Sequence, residues 1–219
     1  MIAGAVRRTN DSCMDGAALA AELARKGIDD PAVLSAIAAV PRHAFVPEAL
    51  RPVAYEDTAL PIGEGQTISQ PLVVAATCAA LRAGKGDRVL DVGTGSGYAA
   101  AVLAALGCEV YSVEILPTLF ESARARLARL GIPVHVALGD GSFGWAAGAP
   151  FRGIAVAAAT SSVPPALVEQ LAAPGRLVLP LGDRLRQRLT VVEKSPDGRT
   201  ATRPLFDVLF VPLTSAPMA

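Results

Sequence analysis

Asp91-Val92-Gly93-Thr94-Gly95-Ser96-Gly97 sets three glycines in a G-x-G-x-G pattern directly after a short apolar run. Glycine lacks Cβ and accepts positive φ, so such a segment can turn a strand sharply into a helix and let backbone approach a ligand. The helix that follows offers unpaired N–H groups at its first turn. Glu114 lies about 20 residues on, at the end of the next apolar run, where a carboxylate can accept from both hydroxyls of a ribose. Gly139-Asp140-Gly141 follows a third apolar run, and there Asp140 can accept from an adenine amino group. Each feature alone has a plainer reading: spare turn glycines, a solvated strand-end acid, a turn aspartate. Together they point to a nucleoside ligand, with Ile115 beside Glu114 as a further contact.

Two nucleoside classes compete. A nicotinamide dinucleotide needs G-x-G-x-x-G, with its pyrophosphate at the helix N-terminus. The spacing here is one residue shorter, and no hydride-transfer constellation is evident. Asp91 adds a negative charge just ahead of the glycines, which suits a sulfonium and an amino group better than a pyrophosphate. S-adenosylmethionine is therefore the expected ligand.

Elements that could position these residues alternate along the chain. Helices are expected over 17–26, 31–40, 71–83, 98–106, 117–130 and 165–171, several opened by proline at the first turn. Strands are expected over 88–92, 109–114, 134–137, 154–158 and 176–180. A closing hairpin is expected from 189–193 and 206–211, turned at Pro196-Asp197-Gly198. This alternation indicates an α/β fold with a doubly wound, mostly parallel sheet, antiparallel at its last edge. Residues 41–70 show no clear periodicity and read as a long ordered loop or cap, a class of segment that is usually functional. The expected organisation is a flexible N-terminus over 1–15 and one domain over 16–219. Within it, 16–84 forms a helical cap with a substrate loop, and 85–219 forms the ligand-binding sheet.

Hydrophobic residues make up 52% of the 219, enough for a sizeable core, and the 20 basic side chains balance the 20 acidic ones. A zero formal charge argues against a nucleic-acid substrate. Three cysteines, Cys13, Cys78 and Cys108, form no C-x-x-C pair, so neither a disulfide framework nor a zinc site is expected. No run approaches the ~20 apolar residues of a membrane helix, and Arg7-Arg8 is followed by polar residues rather than a signal core. A cytoplasmic protein, monomeric and without a metal, is the expectation.

The chain resembles the protein-L-isoaspartate O-methyltransferases over roughly residues 40 to 213. Val40-Pro41-Arg42-His43-Ala44-Phe45-Val46-Pro47 resembles that family's N-terminal motif, and Ala54-Tyr55 through Leu60-Pro61-Ile62-Gly63 its next block. Gly65-Gln66-Thr67-Ile68-Ser69-Gln70-Pro71 is the most specific match, because methyltransferases in general share the glycine loop but not this. The resemblance implies that Ser69 is the active-site residue. It also implies that Thr67, Ile68 and Gln70 sit with it over the methyl donor and the acceptor carboxylate of an isoaspartyl protein or peptide. From the residues alone, a hydroxyl and backbone N–H groups in a turn can orient a carboxylate, and Ser69 is also placed to cap the helix opening near Pro71. Arg152 stands where the family usually has aspartate, and Pro174-Gly175 replaces a more usual glycine pair.

A carboxylate is ionised at neutral pH, with a pKa near ~4, so methyl transfer to it needs no general base. His43 and His135 are accordingly read as structural. The expected catalysis is in-line placement of oxygen, methyl carbon and sulfur in a site closed to water, with residues 55–70 as the lid. The resemblance implies that the ester then loses methanol to a succinimide unaided. Three alternatives remain: a same-fold methyltransferase for another carboxylate, motivated by Arg152; a non-catalytic S-adenosylmethionine-binding module; and a nucleotide-dependent oxidoreductase.

Overall fold

A computed structural model of the protein describes residues 15–183 and 185–214. The expectations for residues 1–14, Cys13 among them, lie outside the described residues. Two short helices open the described chain. In α1 (Gly16–Arg25) the Asp15 carboxylate accepts from Ala18 N at 2.9 Å, satisfying one orphan donor of the first turn. In α2 (Pro31–Ala39), Asp30 caps in the same way, and Pro31 sits where its missing N–H has no cost.

Residues 41–70 are more regular than the sequence suggests. They hold 3-10 turns at Arg42–Phe45 and Glu48–Val53, then a small hairpin of β1 (Leu60–Gly63) and β2 (Gln66–Ile68). The hairpin is too short to show alternation. It turns through Gly63, Glu64 and Gly65, all with positive φ. Then come α3 (Pro71–Leu81), β3 (Arg88–Val92), α4 (Tyr98–Ala105), β4 (Glu109–Glu114), α5 (Pro117–Arg129) and β5 (Val134–Leu138). The chain continues with β6 (Phe151–Val156), α6 (Pro165–Gln170), β7 (Leu171–Gly182), β8 (Gln187–Lys194) and β9 (Thr200–Val208).

Among the described residues one sheet carries the order β5-β4-β3-β6-β7-β8-β9, parallel from β5 to β7 and antiparallel beyond. This is the expected doubly wound, mostly parallel α/β sheet with an antiparallel edge. Alternate strand residues feed two cores. Val89, Ala155, Val178 and Val191 face α3 and α4, which are apolar all round because α1 and α2 cover their outer sides. Leu90, Val92, Ile154, Leu177 and Leu179 face α6. No described helix is long and apolar enough to cross a membrane.

Three strands differ clearly from expectation. β6 spans Phe151–Val156 rather than 154–158. β7 begins at Leu171, directly after α6, rather than at 176. β9 covers Thr200–Val208 rather than 206–211. Its first half is exposed and polar, so no apolar signal marks it, whereas the apolar run beyond it has left the sheet. Val211 O accepts from Ala159 N at 2.8 Å and Leu213 N donates to Ala159 O at 2.7 Å, which draws that run across the strand ends.

Candidate active site

β3 lies between β4 and β6, and Val92 is level with both Val113 and Val156. The three strands therefore end together, at the position where the chain's winding reverses and open sheets bind ligands. Backbone bonds continue past these ends: Gly93 N donates to Val113 O and Ala157 N to Val92 O, both at 2.8 Å. Gly93, Gly95 and Gly97 all have positive φ, and a Cβ at Gly95 would sit 3.4 Å from Ile62 Cδ1 of the hairpin. These glycines make both the turn into α4 and the close approach of β1 possible.

Glu114 locks the loop. Its Oε2 accepts from Gly95 N at 2.7 Å, and its Oε1 accepts from Ile115 N and Leu116 N at 2.9 and 3.0 Å. The carboxylate is 5% exposed, and three of its roughly four lone-pair directions are taken. One remains for a ligand hydroxyl.

Beneath the loop a buried polar chain runs from Thr94 to Ser112 at 2.6 Å and from Ser112 to Asp91 Oδ2 at 2.7 Å. Asp91 Oδ1 is buried without a partner. Burial pushes the Asp91 carboxyl up to about 7, against the pull of the Ser112 bond, with Glu114's charge adding to the rise.

The segment Thr67-Ile68-Ser69-Gln70 lies opposite the loop. Ile68 is buried against the cap, while Ser69 is half-buried. The N-cap of α3 is Gln70, without a side-chain capping bond, and Leu72 N donates instead to Asp57 Oδ1 at 2.8 Å. The Ser69 hydroxyl is thus not engaged in capping. Gln70 Nε2 turns toward Asp57, donating to its carbonyl and to Oδ2 at 3.1 Å each. Burial works against the Asp57 charge, but Lys26 at 2.7 Å, Leu72 N and Gln70 together hold its carboxyl below the usual range.

Loop and segment share one cavity of about 810 Å³. Val92, Gly93, Thr94, Gly95, Ser96, Glu114, Ile115 and Gly141 line one side, and Thr67, Ile68, Ser69 and Gln70 the other. Tyr98, Leu116, Leu119 and the run from Phe206 to Thr214 complete it. Three carboxylates, Glu64, Glu114 and Asp207, line the wall, and among the described residues no Lys, Arg or His does. Apolar walls with acids and no cations suit a cationic nucleoside and oppose a pyrophosphate. S-adenosylmethionine fits this chemistry.

Not every candidate reaches the cavity wall. Asp91 and Gly97 lie behind the loop, and Asp140 caps the turn at Gly141–Phe143 by accepting from Ser142 N at 2.9 Å. Arg152 is far from the cofactor edge where its reversed charge could have mattered. It sits near the start of the central strand β6, at the opposite end of the strands from the glycine loop. It donates to Pro174 O at 3.3 Å and lines a second hollow with Arg82, Arg176 and Lys194. His43 bonds Tyr55 OH at 2.7 Å, and His135 stacks on Tyr111; neither lines the cavity.

Sequence reasoning did not single out Arg42, Asp57, Tyr98 or the Phe206–Thr214 wall. Arg42 lies within a quoted motif, yet nothing in its neighbours indicates burial. The apolar run at 206–211 was visible but reads as a strand.

Residues 14–217 match the family model described as protein-L-isoaspartate(D-aspartate) O-methyltransferase. The chain is 52% identical over 187 residues to protein-L-isoaspartate O-methyltransferase 2 of Syntrophobacter fumaroxidans, covering 84% of this chain and 76% of the relative. It is 52% identical over 192 residues to the protein-L-isoaspartate O-methyltransferase of Methylorubrum extorquens, covering 88% and 84%. Among solved structures, a Plasmodium falciparum protein named as this methyltransferase, in complex with S-adenosyl-L-homocysteine, superposes with a TM-score of 0.80. It is 27% identical, covering 93% of this chain and all of that one. With the glycine loop, the Glu114 clamp and the Ser69 segment in one cavity, and the match spanning nearly its whole length, the chain belongs to the protein-L-isoaspartate (D-aspartate) O-methyltransferase family.

Proposed function

We propose that this chain transfers the methyl group of S-adenosyl-L-methionine to the α-carboxylate of L-isoaspartyl residues in damaged proteins and peptides, the first step of their repair. The observation that carries this reading is the single cavity joining the glycine loop and Glu114 to the Ser69 segment. When bound, the sulfonium supplies a methyl group already activated for attack. The chain's own residues then have three tasks. Glu114 accepts from the ribose, alongside the backbone of Gly93 to Ser96. The uncommitted Ser69 hydroxyl donates to one acceptor oxygen, leaving the other aimed along the transfer line. Thr67, Ile68 and the Phe206–Thr214 wall exclude water. Gln70 supports Ser69 through Asp57 rather than by reaching the acceptor. No group removes a proton, which suits a cavity without a lining histidine.

This reading takes residues 16–219 as one unit, because cap and sheet each supply one side of the cavity. The buried, free thiols of Cys78 and Cys108 suit a reducing compartment such as the cytoplasm. A different carboxylate substrate loses its motive once Arg152 lies at the far end of the strands. The test offers the protein a labelled methyl donor with two peptides that differ only in aspartate versus isoaspartate. Label on the isoaspartyl peptide alone is expected; equal labelling, or none, would remove the reading.

A further inference from the structure

The cavity wall presents an electrostatic contradiction. Its lining carboxylates and absent cations favour the sulfonium donor, yet the acceptor must enter as an anion. A cation does stand behind the wall. Arg42 is fully buried, and among the described residues no other Lys or Arg is. An unpaired buried charge is costly, so its surroundings are informative. No carboxylate contacts it. Nε donates to Ala54 O at 2.8 Å, and Nη2 donates to Thr58 O at 3.3 Å and to Ser69 O at 2.9 Å. The guanidinium carbon lies 4.7 Å from the centre of the Tyr98 ring, a cation–π distance. Nη1 has no partner.

These contacts tie two sides of the site through one side chain. Ser69 belongs to the acceptor segment. Tyr98 lines the cavity and opens α4 directly after the glycine loop, so it belongs to the donor side. The planar fork of an arginine spans separated carbonyls in a fixed geometry that a lysine cannot reproduce. The carbonyl it grips belongs to Ser69, the residue whose hydroxyl is proposed to hold the acceptor.

Building on the proposed methyl transfer, we infer that Arg42 is a positioning residue for that reaction. It sets the distance between the Ser69 segment and the donor loop, and it places a positive charge one hydrogen bond behind the site of the acceptor carboxylate. Asp57 completes the brace by holding Gln70 and Leu72 N on the other side of Ser69. Arg42 touches neither reactant. Its effect falls on the acceptor's binding and alignment and leaves the donor's affinity alone.

The test uses Arg42→Lys, which keeps the charge without the fork, and Arg42→Gln, which removes the charge. Turnover is normalised to sites that bind S-adenosylhomocysteine, so that partial unfolding does not enter. Both variants should keep the unsubstituted affinity for S-adenosylhomocysteine and lose about 10- to 100-fold in kcat, the scale of a small misalignment. Arg42→Gln should in addition raise KM for an isoaspartyl peptide above that of Arg42→Lys. Turnover per binding site equal to the unsubstituted enzyme would overturn the inference alone, as would a loss of donor affinity that accounts for the whole effect. An unsubstituted enzyme that leaves the isoaspartyl peptide unlabelled would overturn the proposed function and this inference with it. If neither variant folds, the unsubstituted enzyme carries the test by nuclear magnetic resonance. The Arg42 side-chain N–H signals, sheltered by burial, should shift when the isoaspartyl peptide is added to enzyme saturated with S-adenosylhomocysteine. Signals indifferent to the peptide would overturn the inference.

Discussion

Gly95 and Glu114 are joined across the cofactor crevice by a 2.7 Å hydrogen bond from backbone N–H to carboxylate. The acid assigned to ribose therefore also fixes the loop that approaches the ligand. Three backbone donors converge on it, so the side chain is held before any ligand arrives.

Glu114→Gln should therefore weaken the donor side twice. A carboxamide has one acceptor oxygen, so at least one N–H loses its partner, and the ribose loses a charged acceptor. A hydrogen bond to a charged group contributes about 1.5–3 kcal/mol, which corresponds to roughly 10- to 100-fold in affinity. Calorimetry with S-adenosylhomocysteine should show a loss on that scale, together with a lower melting temperature. Unchanged affinity would refute the assignment to ribose.

Ser69→Ala should separate the two sides of the site. The hydroxyl caps nothing, so its removal should hardly alter folding. Donor affinity should hold while kcat on an isoaspartyl peptide falls about tenfold or more, because the interaction lost is one that orients the acceptor. Steady-state kinetics beside a binding isotherm decides it; an unaltered kcat contradicts the role.

Much of this site can be read from spacing. The glycines, Glu114 and the order of strands place the donor side without coordinates, because positive φ and strand-end acids leave marks in residue types. Three things leave none. Arg42 sits among Val40, Pro41 and Phe45, and only tertiary packing reveals that it is fully buried. Asp91 looks like a ligand acid by position, but strand alternation turns it under the loop with Val89, onto the face covered by α3 and α4. The Phe206–Val211 run carries the apolar content of a strand, but only its first three residues pair with β8; the rest of that strand is the polar stretch from Thr200, which its residue types do not mark.

Arg152→Asp should leave the rate of isoaspartyl methylation unchanged, since the side chain does not line the cavity. The residue lies at the start of β6, at the end of the parallel strands opposite the glycine loop. Its one hydrogen bond, to Pro174 O, is long and exposed. Assays with isoaspartyl and other carboxyl peptides check this; a changed substrate preference would restore the reading in which Arg152 selects a different acceptor.

Asp91 offers the clearest pH signature. Its carboxyl titrates at about 7 in the folded protein, against an ordinary value near 4 in the unfolded chain, chiefly because it is buried. Below both values the two states bind the proton equally, and folding carries no penalty from this group. Between them the unfolded carboxyl has ionised while the folded one retains its proton, so stability falls as pH rises through that window and levels off above it. Asp91→Asn cannot titrate and removes the slope. Melting curves from pH 5 to pH 8 should show the variant gaining on the parent as pH rises, whatever constant difference the lost Ser112 geometry introduces. The donor adds a second arm. It brings positive charge to the loop above Asp91, so it should favour the ionised form, and binding near pH 6 should release protons. Calorimetry in two buffers of different ionisation enthalpy would register that release in the parent and not in Asp91→Asn. Parallel melting profiles for the two proteins would show that the buried acid is already ionised throughout.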